Sequence, residues 1–413
     1  VLIPNASCNL LNRDGAHMLT MTATARRSQA ERQLLLLSAG TAARRRAAGA
    51  HAGRLAKTID WSQLTETLCS RRLLTVLGPR ILDLADGRAS EGFADELNAA
   101  IQAGRRQGAL LQLISIRIMA ALAAAGIRSS PLKGPLLGEI IYGDPGRRPS
   151  GDIDLLVDPE QLHAAVEVAR GLGYAAPTDY VEHRGMPLLH FALVHERGEL
   201  PRLELHWRIH WYERGFARER LLPHIADPTS SWRPAPADEL ASLLLFYARD
   251  GFVDLRLAAD VGAWWDVFGP ALQPDGFAEL LADYPALGHV LLVAVKVAER
   301  VVGTSTTHML SDMPRLGVRD RVAMRLANPN PRSSQPQLYA DTAVVDALLT
   351  PRGHFASFVR RQVLPPGEVL HDRARRTPDQ RGITPLGHGV RVLGRYVLTI
   401  TRLVRAPETL RLP

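Results

Sequence analysis

The chain is nearly devoid of cysteine and of lysine. Among 413 residues, Cys8 and Cys69 are the only thiols, which excludes a disulfide framework and a cysteine-built zinc site. Lys57, Lys133 and Lys296 are the only lysines, so the formal net charge of +8 rests on arginine. A bias of that kind gives charge little force as a sign of nucleic-acid binding. Long apolar runs are scarce as well. No stretch approaches the ~20 residues of a membrane span, and Leu34-Leu35-Leu36-Leu37 is interrupted too soon. Ala6-Ser7-Cys8 lacks the apolar region that a lipoprotein signal needs. A cytoplasmic protein with no membrane partner is the expectation. Acidic residues are rare early: Asp14 and Glu31 alone precede Asp60, against a cluster that includes Arg26, Arg27, Arg32, Arg44, Arg45, Arg46 and Arg54. Residues 1–58 are therefore expected to form a basic, flexible tail, with Met18 or Met21 as alternative starts.

What is present centres on Arg148-Pro149-Ser150-Gly151-Asp152-Ile153-Asp154-Leu155-Leu156-Val157. In a strand, Asp152 and Asp154 point one way while Ile153 and Leu155 point the other. Two adjacent carboxylates repel each other, which is costly unless a divalent cation neutralises them. Mg²⁺, or Mn²⁺ in its place, is the expected occupant, because Mg²⁺ is typically held by one or two carboxylates together with substrate phosphates. A second strand, Arg202-Leu203-Glu204-Leu205-His206-Trp207-Arg208-Ile209, puts Glu204, His206 and Arg208 on one face. Upstream, Ile127 to Gly134 reads as a short strand. Pro135 to Tyr142 then reads as a helix with proline in its first turn, and Gly134 between the two lets backbone N–H groups approach an anion.

The remainder divides by pattern. Residues 59–126 are expected to be an N-terminal helical lobe, with Leu110, Leu111, Ile114, Ile118 and Leu122 on one face. Residues 127–232 mix strands with short helices, and 233–413 are mainly helical beyond Pro234 and Pro236. Residues 328–336 and 375–386 read as exposed loops, and Val390 to Leu403 as a packed helix. The fold class expected is α+β, a mixed sheet flanked by N-terminal and C-terminal helical regions.

The order Leu132-Lys133-Gly134, then Arg148 with Gly151-Asp152-Ile153-Asp154-Leu155-Leu156-Val157, then Leu203-Glu204-Leu205-His206-Trp207, resembles the uncharacterised bacterial nucleotidyltransferases of the DNA polymerase beta-like superfamily. The resemblance is strongest over residues 131–210. It implies that Asp152 and Asp154 are paired metal ligands, that Glu204 is the third acidic residue, and that Gly134 lies in the turn that holds the triphosphate. Where the superfamily usually has serine or glycine after that glycine, this chain has Pro135, with Lys133 preceding. The expected activity is Mg²⁺-dependent transfer of a nucleoside monophosphate from a nucleoside triphosphate to an acceptor, with release of pyrophosphate.

Around that site, Lys133 is expected to serve as a point charge on the β- or γ-phosphate, and Gly151 to border the nucleotide. Arg148 either neutralises Asp152 or contacts nucleotide. His206 is read as a hydrogen-bonded orienter, and Asp260 as a salt-bridge partner of Arg256 in preference to a second base. Trp207, Trp211, Trp264 and Trp265 are expected in the core. The acceptor stays open among small molecules, peptides and proteins; a nucleic acid is possible but not indicated. Two other readings stand beside the enzyme: a non-catalytic or antitoxin-like module on the same fold, and a metal-dependent nucleotide-sugar glycosyltransferase.

Overall fold

Two helices occupy much of the segment expected to be a flexible tail. The computed structural model describes residues 28–175, 182–183, 186–187, 189–211, 213, 215–226, 233–306, 316–327, 335–356, 360, 363–364 and 384–405. Helix α1 (28–39) buries Leu34, Leu35, Leu36 and Leu37 at no more than 2 % exposure. Helix α2 (Ala42–Ala56) is capped by the Thr41 hydroxyl, which accepts from the Arg44 N–H. The corner between them is tied to the C-terminal half, where Thr41 N–H donates to the Val302 carbonyl at 2.9 Å and Ala42 N–H to the Asp266 carboxylate at 2.8 Å. Flexibility therefore fails from residue 28 onward, because four consecutive leucines find an apolar partner far along the chain. Residues 1–27 lie outside the described residues.

Helices α3 (Trp61–Ser70), α4 (Leu74–Ala85) and α5 (Glu91–Ala124) follow, with Asp60 and Ser90 capping α3 and α5. On α5 the expected face is buried at Leu111, Ile114, Ile118 and Leu122, whereas Leu110 is exposed. Contrary to the sequence reading, α5 is long and apolar enough to cross a membrane by length and composition. Its hydropathy comes from two sources. Leu110, Leu113 and Ile116 face outward, while the opposite face packs on the sheet.

The sheet has the order β1-β2-β7-β6-β3. Its strands are β1 (Ser129–Pro131), β2 (Asp152–Val157), β3 (Tyr174–Ala175), β6 (His190–His195) and β7 (Arg202–His206), while β4 (Glu182–His183) and β5 (Met186–Pro187) form a separate small ladder. Strands β2 and β7 run parallel and the other pairs antiparallel, so the sheet is mixed. Helices α6 (Pro135–Tyr142) and α7 (Leu162–Gly171) lie within this region. Strand parity sorts β2 between two cores. Ile153, Leu155 and Val157 join the cluster under α5 and α7, whereas Leu156 joins the cluster of the flanking helices.

That second cluster joins both ends of the chain. It contains residues of α1 to α5 together with α8 (Phe216–Arg220), α9 (Pro236–Arg249), α10 (Leu255–Phe268), α11 (Pro274–Asp283), α12 (Pro285–Val301), α13 (Val318–Leu326) and α14 (Gln335–Leu349). The N-terminal lobe and C-terminal region thus share one core. The last helix, α15 (Pro385–Arg405), departs from the expected packing: Val390, Leu393, Val397, Leu398 and Ile400 are exposed, while His388 and Thr399 are buried and Tyr396 is partly buried against the larger cluster. Gln335 already belongs to α14, and residues 328–334 and 375–383 lie outside the described residues. Trp207 and Trp264 are buried, while Trp211 is exposed.

Candidate active site

The register of three strands assembles the site. Across the parallel β2–β7 pair, Asp152 stands opposite Arg202, Asp154 opposite Glu204, and Leu156 opposite His206. Across the antiparallel β6–β7 pair, His190 stands opposite His206 and Ala192 opposite Glu204. One sheet face therefore carries Asp152, Asp154, Glu204, His206, His190 and Arg202 together.

Distances show a connected polar network. His206 Nε2 donates to Asp154 Oδ1 at 2.9 Å, and Lys133 Nζ lies 3.3 Å from the same oxygen. Arg202 Nη2 donates to Glu204 Oε1 at 2.7 Å and lies 3.4 Å from Asp152 Oδ2. Glu204 Oε2 is 3.4 Å from His190 Nε2 and 3.7 Å from His206 Nε2. The two imidazoles stack with centroids 4.5 Å apart. The Ser150 hydroxyl donates to Asp152 Oδ1 at 3.0 Å. Asp154 and His206 are buried, whereas the Asp152 side chain is 31 % exposed, which makes it the accessible carboxylate.

Burial by itself would raise the Asp154 carboxyl, but Lys133 and His206 outweigh it and hold the group well below the usual carboxylate range. Hydrogen bonding to His206 lowers Glu204 against the opposing effect of burial. Burial, then the neighbouring His206, pushes the His190 imidazole down, so it stands neutral.

The strand-to-helix turn is built as the sequence suggests, with Pro135 opening α6. Gly134 has φ +92° and ψ −155°, a region that is essentially glycine-only, and no atom lies within 4 Å of where its Cβ would be. The glycine thus leaves open space at the helix N-terminus. Since Pro135 has no N–H, the free donors of that turn are Leu136 and Leu137. A hollow of about 10 Å³ lies here, lined by residues that include Lys133, Pro135, Asp152 and Asp154, and it has room for one water.

Two expectations need correction. Arg148 neither neutralises Asp152 nor faces this site: it is 3 % exposed, and its Nε donates to Asp260 Oδ2 at 2.9 Å. Asp260, expected to pair with Arg256, also accepts from the Tyr142 hydroxyl at 2.9 Å. Both residues tie the segment before β2 to α10, a contact 112 positions apart that helical spacing could not reveal. Lys133 in this structure holds Asp154 and sits over the Phe246 ring, 5.0 Å from its centroid. Gly151 is exposed just before β2, where a Cβ would meet Arg72 Nη1 at 3.4 Å. Arg208 lies beyond the end of β7.

The sequence reading missed Arg202 and His190. Arg202 has the same strand parity as Glu204, so alternation alone would have found it. His190 needed the β6–β7 register.

No curated protein and no solved structure matches this chain. A family model described as "Uncharacterised nucleotidyltransferase" matches residues 57–303, a span that holds Asp152, Asp154 and Glu204, the Gly134 turn and the sheet that carries them. The chain belongs to this nucleotidyltransferase family.

Proposed function

We propose that the β2–β7 face is the catalytic centre of a nucleotidyltransferase that uses a nucleoside triphosphate as donor and releases pyrophosphate. The observation that carries the reading is the register of Asp154 against Glu204, with Asp152 two residues away on the same face beside a glycine turn with open space. The donor set of three carboxylates is hard oxygen chemistry and suits Mg²⁺ or Mn²⁺. Asp152, Asp154 and Glu204 would hold the cation. When bound, it neutralises triphosphate charge and makes the α-phosphorus more electrophilic.

The chain's own groups then have separate tasks. Lys133 leaves Asp154 for the β- or γ-phosphate, which opens the small hollow and retains its charge near the nucleotide. The Leu136 and Leu137 N–H groups face the phosphate at the positive end of α6. Arg202 orients Glu204 through its bond to Oε1. Glu204 either completes the second metal position or accepts the proton of the acceptor as the acceptor atom attacks the α-phosphorus, and the bond to the bridging oxygen breaks to release pyrophosphate. Positioning and charge complementarity account for most of the rate.

The test pairs nucleotide affinity with transfer rate, measured with each α-labelled triphosphate, Mg²⁺ or Mn²⁺, and a cell lysate as the source of acceptor. Asp152→Asn, at the exposed carboxylate, is expected to remain folded and to lose both cation-dependent nucleotide binding and transfer. Glu204→Gln is expected to retain most nucleotide binding and to slow transfer. Full transfer by Asp152→Asn, or cation-independent nucleotide binding by the parent, defeats the reading.

A further inference from the structure

We propose that His190, Glu204 and His206 form a mixed nitrogen–oxygen cation position that takes a first-row transition ion of the zinc and cobalt class and shares Glu204 with the carboxylates assigned to the nucleotide's cation. This goes beyond the transfer reading and does not need it, since the ion is expected to bind without nucleotide.

The argument starts from the strand register. His190 and His206 are opposite one another, and Glu204 is two positions from His206 on the same strand, so all three donors converge on one patch of one face. One ligand atom from each lies within 4.8 Å of the other two. The Glu204 Oε2 contacts, 3.4 Å to His190 Nε2 and 3.7 Å to His206 Nε2, are close to the spacing of two ligands on a tetrahedral ion with bonds near 2.1 Å, about 3.4 Å.

Two further features suit an ion. Arg202 occupies Glu204 Oε1 and leaves Oε2 turned to the histidines. On His206 the ion takes Nε2 in place of its bond to Asp154 Oδ1, and the ring proton moves to Nδ1, which on both imidazoles is buried without a hydrogen-bond partner among the described residues. His190 is the partly exposed member, with 35 % of its side chain accessible, and it provides the way in.

Donor chemistry selects the ion. Mg²⁺ takes oxygen ligands in near-octahedral geometry, whereas two imidazoles and a carboxylate form the donor set of zinc sites that keep an open position. Among the described residues nothing anchors the second nitrogen of either imidazole, so the hold is weaker than in a closed structural site and the ion is exchangeable.

The experiment uses the full chain, stripped by chelator and titrated with Co²⁺ in the absence of nucleotide. A visible ligand-field band saturating at one ion per chain is expected, abolished by Zn²⁺ and unaffected by millimolar Mg²⁺. Any imidazole prefers zinc to magnesium, so the rank of affinities is not the deciding readout. His190→Ala, at the partly exposed end of β6, is expected to weaken Co²⁺ binding by about tenfold or more and to abolish the band. Should that variant fail to fold, pulsed EPR of the bound Co²⁺ on the parent chain reads the same point through nitrogen couplings from the imidazoles. A band unchanged in His190→Ala, displacement by Mg²⁺, or bound Co²⁺ without nitrogen couplings overturns the proposal. Asp152→Asn separates the two readings: it is expected to retain the Co²⁺ band while losing nucleotide binding.

Discussion

Ionisable side chains in this protein divide into those that gather on the β2–β7 sheet face and those that hold elements together. Arg148 and Asp260 are of the second kind. Their bond is almost fully buried, so either charge left alone would be expensive, on the order of 3–5 kcal/mol. Glu213 is a different case, because it is buried with one oxygen lacking a partner among the described residues while the other accepts from the Ala217 N–H at 2.8 Å. Burial raises its carboxyl to about 7 from a usual value of 4.5. A carboxyl whose folded value lies above its unfolded value stabilises the fold fully below pH ~4.5 and loses that contribution as pH climbs towards 7. Above that, its ionisation costs the folded state on the order of 3 kcal/mol relative to a neutral side chain. Glu213→Gln is accordingly expected to be close to neutral in urea unfolding at pH 4 and stabilising at pH 8. Equal effects at the two pH values would mean that Glu213 ionises in the folded protein as it does in the unfolded one.

The turn from Gly134 into α6 is where local chain geometry and candidate chemistry coincide. Its φ of +92° with ψ of −155° disfavours any residue with a Cβ, yet the space where that Cβ would go is open. Gly134→Ala should therefore lower stability by about 1–3 kcal/mol through backbone strain alone, with no steric clash to relieve. Denaturant unfolding checks the figure, and a change within about 0.5 kcal/mol would show that the turn relaxes to accept alanine. On the functional reading the same variant also weakens triphosphate binding, because the strained turn no longer presents Leu136 and Leu137 N–H groups to the phosphate. The approach of α5 to the turn before β2 is tighter: a Cβ on Gly104 would lie 2.4 Å from the Gly146 carbonyl oxygen. Two facing glycines thus let a long helix lie against the segment that leads into the paired aspartates.

At the scale of the molecule, the sheet divides two cores, and the larger one joins both ends of the chain. The family match begins at residue 57, after α1 and α2. Those helices nonetheless fit closely against the C-terminal half, where a Cβ on Gly262 would come within 2.8 Å of the Ala39 carbonyl oxygen. A fragment of residues 57–303 is expected to unfold without a cooperative transition, since removal of Leu34 to Leu37 exposes the apolar surface they cover. Circular dichroism during heating tests this, and a sharp transition like that of the full chain would show that the α1–α2 corner is dispensable. The paired carboxylates, the Gly134 turn, the helix from Pro135 to Tyr142 and the two parities of β2 could all be read in the sequence, because each depends on the conformational rules of a few neighbouring residues. The partner of Arg148, the burial of the four leucines, the exposure of α15 and the place of His190 beside Glu204 could not. Each depends on which distant element packs alongside, a choice made by the folding of the whole apolar core.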